Sequence, residues 1–150
     1  MHFATLASGS SGNAVLVGEG ERNFLVDCGI TTKKLLTNLR MLNICSSKIE
    51  GIIITHEHFD HISGVGVLAR KLKIPVCATA PLWQEIEDKL GNLDPSQKIV
   101  IEDLTTLAGL DIKLIPTSHD CKVSYGIKVS NNKHTLGIAT DSGIITEEMH

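Results

Sequence analysis

Aromatic side chains are scarce in this 150-residue chain: phenylalanine, tryptophan and tyrosine together make up 3% of the residues. The apolar fraction is nevertheless 42%, which is typical of a globular protein and argues against disorder. The hydrophobic core must therefore be built from aliphatic side chains. A chain of this length is sufficient for a domain with its own core, and we predict one domain over residues 1–150.

The sequence also contains no CxxC motif and no long hydrophobic run, and its start does not resemble a leader segment. Its four cysteines are far apart and form no CxxC motif, which favours reduced, buried thiols over a disulfide framework. The start, MHFATLASGSSGN, has no basic segment followed by an apolar run, so it is not a signal peptide. No window approaches the roughly 18 apolar residues of a membrane-spanning helix. We therefore predict a cytoplasmic protein with no membrane partner.

Positive charge is also scarce: the chain has 14 Lys and Arg residues against 17 Asp and Glu residues, which gives a net charge of -3. Free-standing proteins that bind nucleic acid are usually basic. The charge thus counts against such a partner, unless bound metal ions supply the positive field.

Short apolar runs alternate with segments of helical periodicity, which predicts an α/β protein with helices covering a sheet. GIIIT, Gly51 to Thr55, is wholly apolar up to its last residue and predicts a buried central strand. The predicted helices are TTKKLLTNLRML, ISGVGVLARKL and APLWQEIEDKL. The other predicted strands are ATL, AVLVG, NFLVD, IPVCA, KIVIE, LDIKLIPTSH, SYGIKVSN and KHTLGIATD. Residues 146–148 resemble the first turn of a further helix, so we expect the chain to be part of a larger protein.

The segment THEHFDH, Thr55 to His61, follows the predicted central strand directly. Residues two apart in an extended stretch point to the same side, so His56 and His58 can reach one point together. Asp60 and His61 come a turn later and can aim at a neighbouring point. Imidazoles and carboxylates suit Zn, Mn or Fe, and α/β sheets place their sites at the carboxyl ends of strands. The intervening Glu57 and Phe59 alternate away from these side chains and are assigned no chemistry.

This signature resembles that of the metallo-β-lactamase fold superfamily, which implies an αββα sandwich, here incomplete and N-terminal. By the resemblance, one metal ion is held by His56, His58 and His119, and the other by Asp60 and His61. Asp141 bridges the two ions, and Asp60, His61 and Asp141 form the catalytic group. By the same resemblance, Asp27, at the end of FLVD, is expected to orient the metal ligands without binding metal itself.

The superfamily needs one more histidine late in the chain, and His150 does not fit that place. The resemblance therefore implies two divalent ions, Zn, Mn or Fe, with the second bound weakly in a fragment of this length. The apolar face left by missing elements predicts a homo-oligomer. Cys121, two residues after His119, is assigned a structural role.

A loop of small residues, LASGSSGN, follows the first predicted strand. Such a loop is typical of a flexible turn, but it can also offer backbone N–H and hydroxyl donors to phosphate. Together with VDCGI and TSHD it resembles the YycJ-like (WalJ-like) branch of the superfamily, which implies a DNA exonuclease. By that resemblance Ser10, Ser11 and Asn13 are candidates for binding the substrate.

A divalent ion lowers the pKa of its bound water to about 7, which makes hydroxide available for hydrolysis at neutral pH. The metal centre alone leaves the substrate open among lactams, thioesters, lactones and phosphodiesters. Three hypotheses remain: a phosphodiesterase acting on nucleic acid, favoured by the Gly/Ser loop and with DNA as its partner; a thioester or lactone hydrolase; or an inactive metal-binding fragment.

Overall fold

The computed structural model describes residues 1–117 and 121–140, which form two β-sheets and a layer of helices. The strands are β1 (His2–Ala7), β2 (Ala14–Glu19), β3 (Arg22–Val26), β4 (Ile49–Ile53), β5 (Val76–Ala78), β6 (Lys98–Val100), β7 (Leu104–Leu107), β8 (Leu110–Pro116), β9 (Tyr125–Ser130) and β10 (Thr135–Ile138). The α-helices are α1 (Thr32–Met41), α2 (Phe59–Ile62), α3 (Val65–Leu72) and α4 (Ala80–Ile86). Short 3₁₀ turns occupy Ser46–Lys48, Glu87–Lys89 and Pro95–Gln97.

The first sheet has six strands in the order β1-β2-β3-β4-β5-β6. The β1–β2 and β2–β3 pairs are antiparallel, whereas β3, β4, β5 and β6 run parallel to one another. β4 therefore lies inside the sheet with a parallel neighbour on each side, which confirms the buried central strand expected from GIIIT. The second sheet is antiparallel throughout, in the order β10-β9-β8-β7.

Alternation along the strands divides the core into two parts. Leu25, Ile52 and Ile54 point to one face of the first sheet and pack against apolar residues of α1, α3 and α4. Phe24 and Ile53 point to the opposite face and pack against the second sheet. The described residues thus form a helix layer on two stacked sheets, in agreement with the predicted metallo-β-lactamase fold. In this part of the chain no helix is both long and apolar enough to cross a membrane.

Two elements differ from the sequence-based expectation. α2 occupies Phe59–Ile62 and so begins inside the signature, which was not assigned to a helix, because four residues are too few to show helical periodicity. β7 was not predicted, since Leu104 and Thr106 are exposed and the strand buries little apolar surface. The helix expected at 146–148 lies outside the described residues.

Removing the Ile112 side chain should test the contact between the sheets. Ile112 is fully buried in the second sheet, so Ile112→Ala should lower the free energy of unfolding by about 2–5 kcal/mol. Lys113→Ala is the matched control, because the next residue points to solvent. Urea unfolding followed by circular dichroism measures both, and equal losses would contradict the stacked-sheet core.

Candidate metal centre

The signature is fixed at the end of β4 by pairing with the start of β9 and with the residue before it. Tyr125 donates its backbone N–H to the Thr55 carbonyl at 3.0 Å, and His56 forms an isolated β-bridge with Ser124. Thr55 and His56 are buried, with 1% and 0% of their surface exposed. The signature therefore begins inside the protein, held on one side by the second sheet.

The structure brings together the four signature residues that were predicted to bind metal. The His56 ring lies 4.9 Å from the His58 ring and 4.1 Å from the His61 ring, centroid to centroid. The Asp60 carboxylate lies 3.6 Å from His61 Nε2. His56 and His58 come from extended chain, whereas Asp60 and His61 belong to α2, so the single helical turn folds the second pair back towards the first.

Asp27 lies behind these histidines, at the end of β3. Its backbone is left-handed, with φ of 60°, a conformation that aspartate tolerates better than most residues. Its carboxylate accepts three hydrogen bonds: from Thr55 N–H at 2.8 Å, from the Thr55 hydroxyl at 2.6 Å and from His61 Nδ1 at 2.7 Å. The residue is 2% exposed, so these donors compensate a buried charge.

This arrangement determines the tautomers of two histidines. A carboxylate only accepts hydrogen bonds, so the Thr55 hydroxyl proton points to Asp27, and His61 carries its proton on Nδ1. The Thr55 oxygen is then left as an acceptor for His56 Nδ1, 2.8 Å away, so His56 also carries its proton on Nδ1. In both rings the lone pair is on Nε2, the form in which imidazole binds a metal ion.

Asn13, a predicted substrate-binding residue, makes several contacts inside the protein. Its side-chain amide donates to Asp60 Oδ2 at 3.0 Å and to the Gly9 carbonyl at 2.9 Å, while its oxygen accepts from Gly9 N–H at 3.1 Å. Asn13 thus closes the Gly/Ser loop and holds the Asp60 carboxylate. Ser10 and Ser11 are exposed on the same loop. Substrate binding by these three residues stays a prediction.

Glycine permits the close contact between the signature and the loop after β3. A Cβ at Gly29 would lie 1.6 Å from the Asp60 carbonyl oxygen, and one at Gly64 would lie 1.9 Å from the Ile30 carbonyl oxygen. Backbone hydrogen bonds of 2.9 Å join Cys28 to His61 and Gly64 to Cys28. The α2 turn is therefore bound directly to the segment that carries Asp27.

The donor atoms present suit a divalent transition metal. The ligand atoms offered by Asp27, His56 and His61 lie within 4.8 Å of one another, and all three residues are buried. Imidazole nitrogen and carboxylate oxygen are donors for Zn, Mn and Fe alike. The other two predicted ligands, His119 and Asp141, lie outside the described residues, so their assignment stays a prediction.

A second group of side chains that could hold a metal ion was not predicted from the sequence. Glu57, His58 and Cys121 also place their ligand atoms within 4.8 Å of one another, and all three are half-buried. The alternation of side chains along the signature had placed Glu57 away from the site, and Cys121 had been assigned a structural role. The two segments are 63 residues apart, and no spacing motif joins them; only the pairing around Ser124 brings them together.

The comparisons with known proteins agree with this architecture. The family model of the metallo-beta-lactamase superfamily matches residues 7–128, and the chain belongs to that superfamily. Among solved structures, the Rm3 metallo-beta-lactamase superposes with a TM-score of 0.71 at 17% identity, covering 90% of this chain and 56% of that one. At this identity the likeness concerns the fold alone.

Two kinds of curated relative are similar in sequence. Exodeoxyribonuclease YycJ of Bacillus anthracis is 36% identical over 151 residues, an alignment that covers 99% of this chain and 57% of the relative. The anti-Pycsar protein Apyc1 of Paenibacillus xerothermodurans is 28% identical over 142 residues, covering 79% of this chain and 56% of the relative. The chain therefore spans little more than half the length of these curated relatives.

Asp27→Asn should weaken metal binding by about 10–100-fold, the usual effect of losing a group that orients metal ligands. The new amide replaces one acceptor oxygen with a donor, so it cannot accept all three hydrogen bonds. Competition with a chromophoric chelator measures the affinity. Asp111→Asn, on an exposed strand position, removes the same charge and should leave the affinity unchanged. Unaltered binding by Asp27→Asn would contradict the orienting role.

Gly29→Ala should lower the free energy of unfolding by about 1–3 kcal/mol or more, because its methyl group would overlap the Asp60 carbonyl oxygen. Gly137→Ala is the matched control, since a Cβ at that strand position meets no atom of the described chain within 4 Å. Thermal unfolding distinguishes the two variants. A Gly29→Ala protein as stable as the Gly137→Ala protein would show that Gly29 does not approach the Asp60 carbonyl as closely as in the structure.

Proposed function

We propose that the chain carries the metal centre of a metal-dependent phosphodiesterase that acts as a DNA exonuclease. The observation that carries this proposal is the cluster of His56, His58, Asp60 and His61 at the end of β4, with the His56 and His61 tautomers set for metal binding. The 36% identity to an exodeoxyribonuclease supports DNA as the substrate. Because that alignment covers 57% of the relative, the activity of the whole protein is part of the proposal.

Two divalent ions, drawn from Zn, Mn and Fe, fit the proposed donors. One ion would be held by His56, His58 and His119. The other would be held by Asp60 and His61, with Asp141 between the two. When bound, such ions supply Lewis acidity and a water that ionises near neutral pH.

The chain's own residues keep the donors in place for this chemistry. Asp27 holds the Nδ1 proton of His61 directly and that of His56 through the Thr55 hydroxyl. Asn13 holds Asp60 from the opposite side, through the Asp60 carboxylate and through a backbone hydrogen bond of 2.8 Å to its carbonyl. Donors that are already oriented need little rearrangement as charge develops on a phosphodiester.

A groove beside the signature supports a nucleic-acid substrate over a thioester or lactone. It is lined by Ser11, Lys34, Phe59 and Ser63, together with the backbone around Gly29. Phe59 is 80% exposed although it follows His58 directly. Single-stranded nucleic acid stacks its bases on exposed aromatic rings and places its phosphates beside cations. An exposed aromatic ring near a cation therefore suits such a substrate. Lys34 is the one charged side chain among the described residues that line this groove.

His58→Ala and Asp60→Ala should each reduce the bound metal, measured by elemental analysis of the purified chain after reconstitution. Each variant removes one proposed donor. His134→Ala is the control, because His134 lies on an exposed turn between β9 and β10. A wild-type chain that stays metal-free after reconstitution would rule out the proposed centre.

The substrate can be tested on the protein expressed at its full natural length. We expect release of nucleotides from end-labelled duplex DNA in the presence of Mn²⁺ or Zn²⁺, with no turnover of thioesters or lactones. Phe59→Ala should raise the KM for DNA several-fold and leave the metal content unchanged, because the ring lies outside the donor set. Hydrolysis of a thioester by a protein that leaves DNA intact would replace the exonuclease proposal with the small-molecule alternative.

A further inference from the structure

The group formed by Glu57, His58 and Cys121 is shallower than the buried group around Asp27 and differs from it in chemistry. It offers a carboxylate, an imidazole and a thiol, all half-buried, with the three ligand atoms within 4.8 Å of one another. The group formed by Asp27, His56 and His61 has no sulfur. The T-shaped contact between His56 and His58 places the two groups side by side.

The segment that carries Cys121 is held against the signature by its backbone. Lys122 N–H donates to Glu57 Oε1 at 3.4 Å, and Tyr125 N–H donates to Thr55 at 3.0 Å. The Cys121 thiol donates to the Val123 carbonyl at 3.4 Å. Cys121 is thus placed beside His58 by contacts of the residues that follow it in sequence.

Glu57 carries a negative charge that its described neighbours compensate poorly. Its Oε2 atom is buried and accepts no hydrogen bond from the described part of the chain. The neighbouring cation, Lys122, instead pairs with Glu85, at 3.2 Å. A buried carboxylate oxygen without a donor is unfavourable by itself, and a metal ion at this position would compensate it.

We infer that Glu57, His58 and Cys121 form a binding site for a thiophilic divalent transition metal such as Zn²⁺, with Cys121 as a thiolate ligand. Around a tetrahedral zinc ion, ligand atoms lie roughly 3.5 Å apart, so small side-chain rotations close the observed group onto an ion. Three protein ligands leave the fourth position for water or a substrate atom. The thiol releases its proton to solvent on binding.

This site competes with the proposed two-ion centre for one residue. A neutral imidazole offers a single lone pair, so His58 serves one ion at a time. An ion held by Cys121 therefore withdraws His58 from the ion that it would share with His56 and His119. The inference goes beyond the proposed function, since it neither requires nor implies cleavage of DNA.

Cobalt substitution provides the test, because Co²⁺ occupies zinc sites and a thiolate ligand gives it a strong charge-transfer absorption in the near ultraviolet. Titrating the metal-free protein with Co²⁺ should produce this band at one thiolate per ion. Cys121→Ser should abolish the band, and Glu57→Gln should weaken Co²⁺ binding by about tenfold or more. Far-ultraviolet circular dichroism confirms that each variant is folded.

Cys45→Ser is the matched control. Cys45 is exposed, and its hydrogen bond with Ser47 lowers the pKa of its thiol, so it is the thiol with the easiest access to added metal. Burial raises the pKa of Cys28 and of Cys77 to about 11, which makes both poor ligands. The charge-transfer band should survive in Cys45→Ser.

A wild-type protein without the charge-transfer band, or a band that persists in Cys121→Ser, would overturn the inference. The weaker visible bands of Co²⁺ bound only by nitrogen and oxygen should remain in Cys121→Ser, because the proposed donors His56, His58, Asp60 and His61 are unchanged. Loss of the charge-transfer band alone therefore reports on the cysteine site, whereas absence of the visible bands would count against the proposed metal centre.

Discussion

The buried carboxylate of Asp27 is the constraint on which the rest of the site depends. A charge removed from water is tolerated only where donors surround it, and here Thr55 supplies two donors and His61 the third. Each donor is a residue of the signature. The requirement to compensate one charge therefore fixes the position of the signature, the orientation of two imidazole rings and the nitrogen on which each ring carries its proton.

The sheet makes this arrangement possible. β3 and β4 are parallel neighbours, with Val26 opposite Ile53, so the residues that follow them emerge at the same edge. Asp27 and Thr55 meet there, and the Asp27 N–H donates to the Ile53 carbonyl at 2.9 Å. The close approach of Gly29 to the Asp60 carbonyl brings the α2 turn back over the same edge. A site at the carboxyl ends of parallel strands is thus a consequence of strand order.

Much of this was predictable from the sequence, and the exceptions have physical reasons. The strands and helices with strong apolar patterns, such as GIIIT, appear where periodicity placed them, and the buried position of Asp27 beside the signature follows from the strand that it ends. The tautomers of His56 and His61 were not predictable, because they depend on hydrogen bonds among Asp27, the Thr55 hydroxyl and the two rings that form only in the folded chain. Glu57 was assigned no chemistry because it alternates with His56 and His58, and its proximity to Cys121 depends on the pairing of the chain around Ser124.

The two neighbouring ligand groups differ in the ions that they favour. Carboxylate and imidazole donors accept Mn, Fe and Zn with modest discrimination, whereas a thiolate favours zinc strongly over manganese. Since His58 is a donor both in the proposed two-ion centre and in the inferred site with Glu57 and Cys121, the metal supplied to the protein should influence which of the two it serves. Manganese leaves His58 available to the buried histidines, and zinc draws it towards Cys121. The state of the centre then depends on the ratio of the two metals as well as on their total concentration.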